Sequence, residues 1–106
     1  MPNTIPTDVV FRRWRDTGDV IALFPDIPSD YDGYFCLSYE HVGQHGGADF
    51  YGVVRATLPV ESQEYERLAK ELTSIGYQLR TVQRASRQMH ERRIKAARDI
   101  CAGVQT

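Results

Sequence analysis

His41 and His45 stand four residues apart in the stretch Tyr39-Glu40-His41-Val42-Gly43-Gln44-His45-Gly46-Gly47-Ala48-Asp49, with the carboxylates of Glu40 and Asp49 close by in sequence. Imidazole nitrogen and carboxylate oxygen are donors for zinc and other transition metals. An i, i+4 pair of histidines has geometric force on a helix, where both rings leave from one face. Three glycines between positions 43 and 47 argue against a helix here, so the spacing loses that force. The stretch also offers fewer ligands than a structural zinc site takes, and no metal is assigned to it. The reading is an irregular strand-to-strand loop in which His41, Gln44, His45 and Asp49 form a candidate binding loop. Bare backbone N–H groups of such a loop also suit an anion.

Cys36 and Ser38 are the nucleophiles nearest these histidines. Nucleophilic catalysis needs a base within hydrogen-bond reach and a third group to orient that base. On an extended strand both Cys36 and Ser38 fall on the face opposite His41. The chain has no G-x-S-x-G, P-loop, dinucleotide-binding or H-E-x-x-H pattern. No catalytic residue is assigned and no cofactor is expected. A small metal-dependent enzyme centred on His41 and His45 is kept only as a second alternative.

The other chemistry-bearing series is basic. Arg80, Arg84, Arg87, Arg92, Arg93, Lys95 and Arg98 are opposed locally only by Glu91 and Asp99. Guanidinium forks match phosphate oxygens, so this candidate basic surface makes nucleic acid a possible partner. The pI of about 6.3 lies well below the range of most nucleic-acid-binding domains, and no recognised nucleic-acid-binding pattern accompanies the arginines. Asp26, Asp30 and Asp32, with Tyr31 and Tyr34 among them, form the opposite surface. Carboxylates interleaved with tyrosines can imitate a phosphate backbone and its stacked bases. Residues 1–60 carry eight acids against four arginines, and residues 61–106 carry nine bases against six acids. Such polarity speaks to association rather than fold.

These groups are positioned by a short series of elements. Asp8–Arg15 reads as a strand, with Val10 and Trp14 on one side and Val9 and Phe11 on the other. The turn Asp16-Thr17-Gly18-Asp19 leads into Val20–Phe24, an unbroken apolar run that fits a strand covered on both faces. Residues 25–33 read as an acidic loop. Phe35–Val42 alternates, with Phe35, Leu37, Tyr39 and His41 facing one way, and Phe50–Leu58 reads as a further strand. Ser62 is placed as the cap of a helix whose stripe is Tyr65, Leu68, Ala69, Leu72 and Ile75, stopped by Gly76 with Tyr77 packing back. Tyr77–Val82 is the last strand. A basic helix follows from Arg84, with Glu91 and Lys95 as an i, i+4 pair and a thin stripe of Met89, Ala96 or Ala97, and Ile100, interrupted by Arg93.

The expected fold class is α+β, in the order β-β-β-β-α-β-α. It is an antiparallel sheet of four to five strands with one helix on a face and a C-terminal helix. The chain has 106 residues, 42% of them hydrophobic, which suits one domain. Within that domain, residues 1–7 are expected as a flexible start and 84–106 as the basic helix and tail. Nothing approaches the apolar length of a membrane span, and the first residues lack the pattern of a secretory signal. The widely spaced Cys36 and Cys101 are expected as free thiols in a cytoplasmic protein. The doubly apolar second strand and the weakly apolar last helix suggest a homodimer.

Ile21-Ala22-Leu23-Phe24-Pro25, the run from Cys36 to Gly46, Glu64-Tyr65 and Ile75-Gly76-Tyr77 together resemble a group of small bacterial proteins carried on phages, plasmids and other mobile elements. The resemblance spans about residues 8–93 and assigns no activity, cofactor or site residue. It implies only a setting, the accessory cargo of a mobile element. The function expected is a non-catalytic binding protein acting by contact with protein or nucleic acid. An anti-defence inhibitor of a host nuclease or its guide complex is the alternative.

Overall fold

The computed structural model of the chain describes residues 6–40 and 44–101, so His41 lies outside it, as do the side chains of Gln44 and Cys101. The elements are β1 (Thr7–Trp14), β2 (Val20–Pro28), β3 (Cys36–Glu40), β4 (Gln44–Ala48), α1 (Phe50–Ala56), β5 (Thr57–Pro59), α2 (Ser62–Ser74), β6 (Leu79–Thr81) and α3 (Arg87–Cys101). The fold is α+β, and its sheet runs β4-β3-β2-β1-β5 with antiparallel neighbours throughout. β6 shares the outer edge of β1 with β5 but pairs it in parallel, Thr7 opposite Leu79 and Val9 opposite Thr81. Thr7, expected in a flexible start, is thus already in the sheet.

Alternation along β1 to β3 decides the two faces. Val9, Phe11, Ala22, Phe24 and Tyr39 point to one side, where Leu68 and Leu72 of α2 complete the core. Val10, Ile21, Leu23 and Cys36 point to the other, with Ala48 and with Phe50 of α1. His90 of α3 packs edge-on against Phe50 at 5.1 Å, which places α3 on that second side. The double coverage that Val20–Phe24 requires therefore comes from within the chain. A second copy, expected in part on that ground, is not needed to cover β2.

Several local expectations are corrected. Residues 44–48 form β4 rather than an irregular loop, paired with β3 from Cys36 opposite Ala48 to Glu40 opposite Gln44. A side chain at Gly47 would meet Ser29 Oγ at 2.7 Å, so glycine stands at that position because the chain just past β2 comes close to it. Residues 50–56 are helix, not strand. Phe50, Val53 and Val54 share one face at i, i+3, i+4 and cover the second core. The end of α1 is closed by Arg12, whose guanidinium donates to the carbonyls of Val54 and Thr57 at 2.9 Å.

The cap of α2 is Glu61, one residue before the expected Ser62. Its side chain and that of Glu64 form a reciprocal capping box. The stop is as expected. Gly76 has φ +115°, its N–H reaches Thr73 O, and Tyr77 N–H reaches Leu72 O. Tyr77 stacks on Phe24, while Ile75 is exposed rather than in the stripe. α3 begins at Arg87, three residues later than expected, and Ile100 is exposed too. Glu91 pairs with Arg87 and Lys95 with Asp99, so the expected Glu91–Lys95 bridge is replaced by two others.

β2 extends past Phe24 to Pro28 instead of giving way to a loop, with a break in register between Phe24 and Pro28. Proline has no N–H for the ladder, and the strand bulges at Pro25. The bulge leaves the buried Pro25 carbonyl free of the ladder, and α3 takes it up.

Candidate functional site

Arg93, expected to interrupt the apolar stripe of α3, is its anchor. It is 5% exposed and donates to Gly33 O, to Pro25 O and to His90 Nδ1, each at 2.7 Å. Gly33 has φ +73°, and a side chain there would meet the backbone of Ile94 at 2.8 Å. One guanidinium thus ties the β2 bulge, the tight turn after it and α3 together. The turn is held by Gly33 N–H on Asp30 O and Phe35 N–H on Asp30 Oδ1. Tyr31 projects from it, 82% exposed.

Of the basic series Arg93 is buried and the other six are exposed, four of them in ion pairs. Arg80 makes a two-pronged bond to the buried carboxylate of Asp8. Arg92 lies 3.4 Å from Asp26 and 4.0 Å from Asp8. Arg87 and Lys95 hold Glu91 and Asp99 one turn away, and Arg93 is buried. Among the described residues only Arg84 and Arg98 of the seven make no ion pair or hydrogen bond. Of the acidic loop, Asp26 pairs with Arg92, Asp30 holds the turn, and Asp32 is exposed.

Of the candidate loop, His41 lies outside the described residues and Gln44 pairs its backbone with Glu40. His45 sits opposite Tyr39 on the α2 face, with its Nε2 2.9 Å from the Tyr77 hydroxyl and its ring edge-on to Tyr39 at 4.7 Å. Asp49 packs against the first turn of α1 at Gly52. Among the described residues no three His, Cys, Asp or Glu side chains converge as a metal set. Cys36 is fully buried, and burial pushes its thiol up to about 11, so it is a protonated core residue at neutral pH.

The structure instead assembles a cleft of about 400 Å³ between α1 and α3 that the sequence did not mark. Tyr34, Phe50, Tyr51 and Ile94 supply its apolar lining, and Arg55 and Arg87 are exposed beside them. Tyr34 and Tyr51 are 60% and 56% exposed, and Phe35 extends the patch by packing edge-on against Tyr34. His90 lines the same cleft at 8% exposure, between the rings of Phe50 and Tyr51. Arginine only donates, so the bond from Arg93 leaves the lone pair on His90 Nδ1 and the proton on Nε2. That Nε2 is buried without a hydrogen-bond partner. Burial, and then the Arg93 charge, lower the His90 pKa and keep the ring neutral. The only sequence signal for this arrangement was the i, i+3 spacing of His90 and Arg93 on an otherwise thinly apolar helix.

Fold and site define a small α+β domain with an aromatic cleft on its helical side. Comparison with family models, curated proteins and solved structures finds no match to the chain. No helix among the described residues is long and apolar enough to cross a membrane.

Proposed function

We propose that the chain is a non-catalytic binding module that works by contact with a protein, through the face made by the 29–35 turn, α1 and α3. The observation that carries this reading is the convergence of Tyr34, Phe35, Tyr51 and Ile94, all exposed, from three separate segments around one cleft. Both faces of β1 and β2 are already covered, so this patch is not an unfilled part of the core. Exposed tyrosines beside arginine have the composition of protein-binding hot spots. A setting on a mobile element, as the resemblance implies, suits a small accessory binder or an anti-defence inhibitor. A catalytic reading lacks an available nucleophile in Cys36. A phosphate-binding reading loses Arg93 to burial and has Arg80, Arg87, Arg92 and Lys95 engaged in ion pairs.

Affinity capture from bacterial cells tests this, comparing the wild-type chain with Tyr34→Ala/Tyr51→Ala and with Ile75→Ala at the far end of α2. A protein retained by wild type and Ile75→Ala but lost with the double variant supports the reading. Equal retention by all three overturns it. So does a homodimer in light scattering that the double variant dissolves, since the face then serves self-association. Retention on heparin that falls steeply with salt and survives the double variant favours nucleic acid instead.

A further inference from the structure

We propose that the α1–α3 cleft recognises an acidic side chain of the protein partner, whose carboxylate accepts a hydrogen bond from His90 Nε2–H while its apolar stem lies among Tyr34, Tyr51 and Ile94. This deepens the protein-binding reading and rests on it. The unmatched donor is the decisive observation. A buried N–H without an acceptor is costly, and native proteins leave few of them. Around His90, Phe50 and Tyr51 present only ring faces and edges, which are weak acceptors. Tyr51, more than half exposed on a two-turn helix, has its ring 4.9 Å from the imidazole, and in the proposal an incoming acceptor reaches the buried Nε2 as that phenol ring moves aside.

Charge then selects an anion. Arg93 stands directly behind the imidazole, donating to its other nitrogen, and Arg55 lines the cleft without an ion pair among the described residues. Of the carboxylates that share the lining, Glu91 is held by Arg87 at 3.2 Å, and the charge of Asp49 is outnumbered by those of Arg55 and Arg93. A single directed donor inside aromatic walls matches one carboxylate on an apolar stem. A phosphodiester chain calls for several exposed forks, and here most of those forks are already paired.

The test follows the His90 ring by long-range proton–nitrogen correlation in the full chain while blocked tripeptides are added. The probes are acetyl-Phe-Glu-Phe-amide, its Gln counterpart and inorganic phosphate. The expected result is a saturable shift of the Nε2 resonance with the Glu peptide, at a concentration about tenfold lower than the Gln peptide needs. Arg55→Ala, at an exposed position that leaves the core intact, reduces that preference, and His90→Phe, followed at the backbone amides of α1 and α3 instead, removes it. Equal binding of the Glu and Gln peptides, an equal response to phosphate, or no response at His90 overturns the proposal. If capture by the Tyr34–Tyr51 face stands while the peptides show no Glu preference, only the acidic ligand is withdrawn. If capture itself fails, the face is withdrawn.

Discussion

Arg93 and His90 sit one helical turn apart on α3 and carry opposite consequences. Arg93 closes three buried acceptors, and Arg93→Met leaves Gly33 O, Pro25 O and His90 Nδ1 without a donor. The expected cost is about 3 kcal/mol in urea unfolding, and a loss under about 1 kcal/mol contradicts the clamp. His90 makes stability depend on pH. Its pKa is lowered from 6.5 in the folded chain, so below about 6.5 the unfolded chain binds a proton that the folded chain refuses. The stabilisation from the neutral ring is therefore complete above that value and declines as pH falls towards the folded pKa. The urea midpoint is expected to drop between about pH 7.5 and about pH 5, and His90→Gln is expected to flatten part of that drop. A His90→Gln profile with the full wild-type slope contradicts the assignment. Neither role was legible in the sequence. An arginine in a helical stripe is ordinarily a defect, and the carbonyls that receive Arg93 exist only because β2 bulges at Pro25 and Gly33 turns with positive φ.

At the scale of elements, legibility followed how local each determinant is. The faces of β1, the buried run of β2 and the stripe and stop of α2 rest on alternation, spacing and one glycine, and these were readable. The Glu61–Glu64 box belongs to the same local class, although a carboxylate one residue earlier took the cap from Ser62. Glu64→Ala is expected to cost about 1 kcal/mol and to show as a lower thermal midpoint. An unchanged midpoint contradicts a stabilising box. β4 and α1 were misread because their determinants are tertiary. A strand carries two glycines, Gly46 and Gly47, where Ser29 passes close to the second, and aromatic and β-branched residues make a helix where the second core needs Phe50, Val53 and Val54 on one side and Arg12 closes the end. The i, i+3, i+4 spacing of those three residues was visible, but β-propensity outweighed it in a segment of seven residues.

Across the whole molecule, part of the charge asymmetry read from the sequence is met by pairing within the chain. Acids of the first half meet bases of the second at Asp8–Arg80, Asp26–Arg92 and Glu64–Arg13, the last with the signs reversed. The polarity that suggested a charged partner thus helps to close the fold, and the surface left for a partner is aromatic. Function was less legible than fold for this reason. Tyr34, Tyr51, His90 and Ile94, the residues of the proposed binding face, are scattered over sixty residues of sequence and line one cleft only when α1 and α3 come together on one side of the sheet. Amide hydrogen exchange on the chain bound to its captured protein partner tests this most directly. Added protection is predicted over the 29–35 turn, α1 and residues 87–94, with α2 unchanged. Protection concentrated on α2, with the α1–α3 side exchanging as in the free chain, would contradict the account.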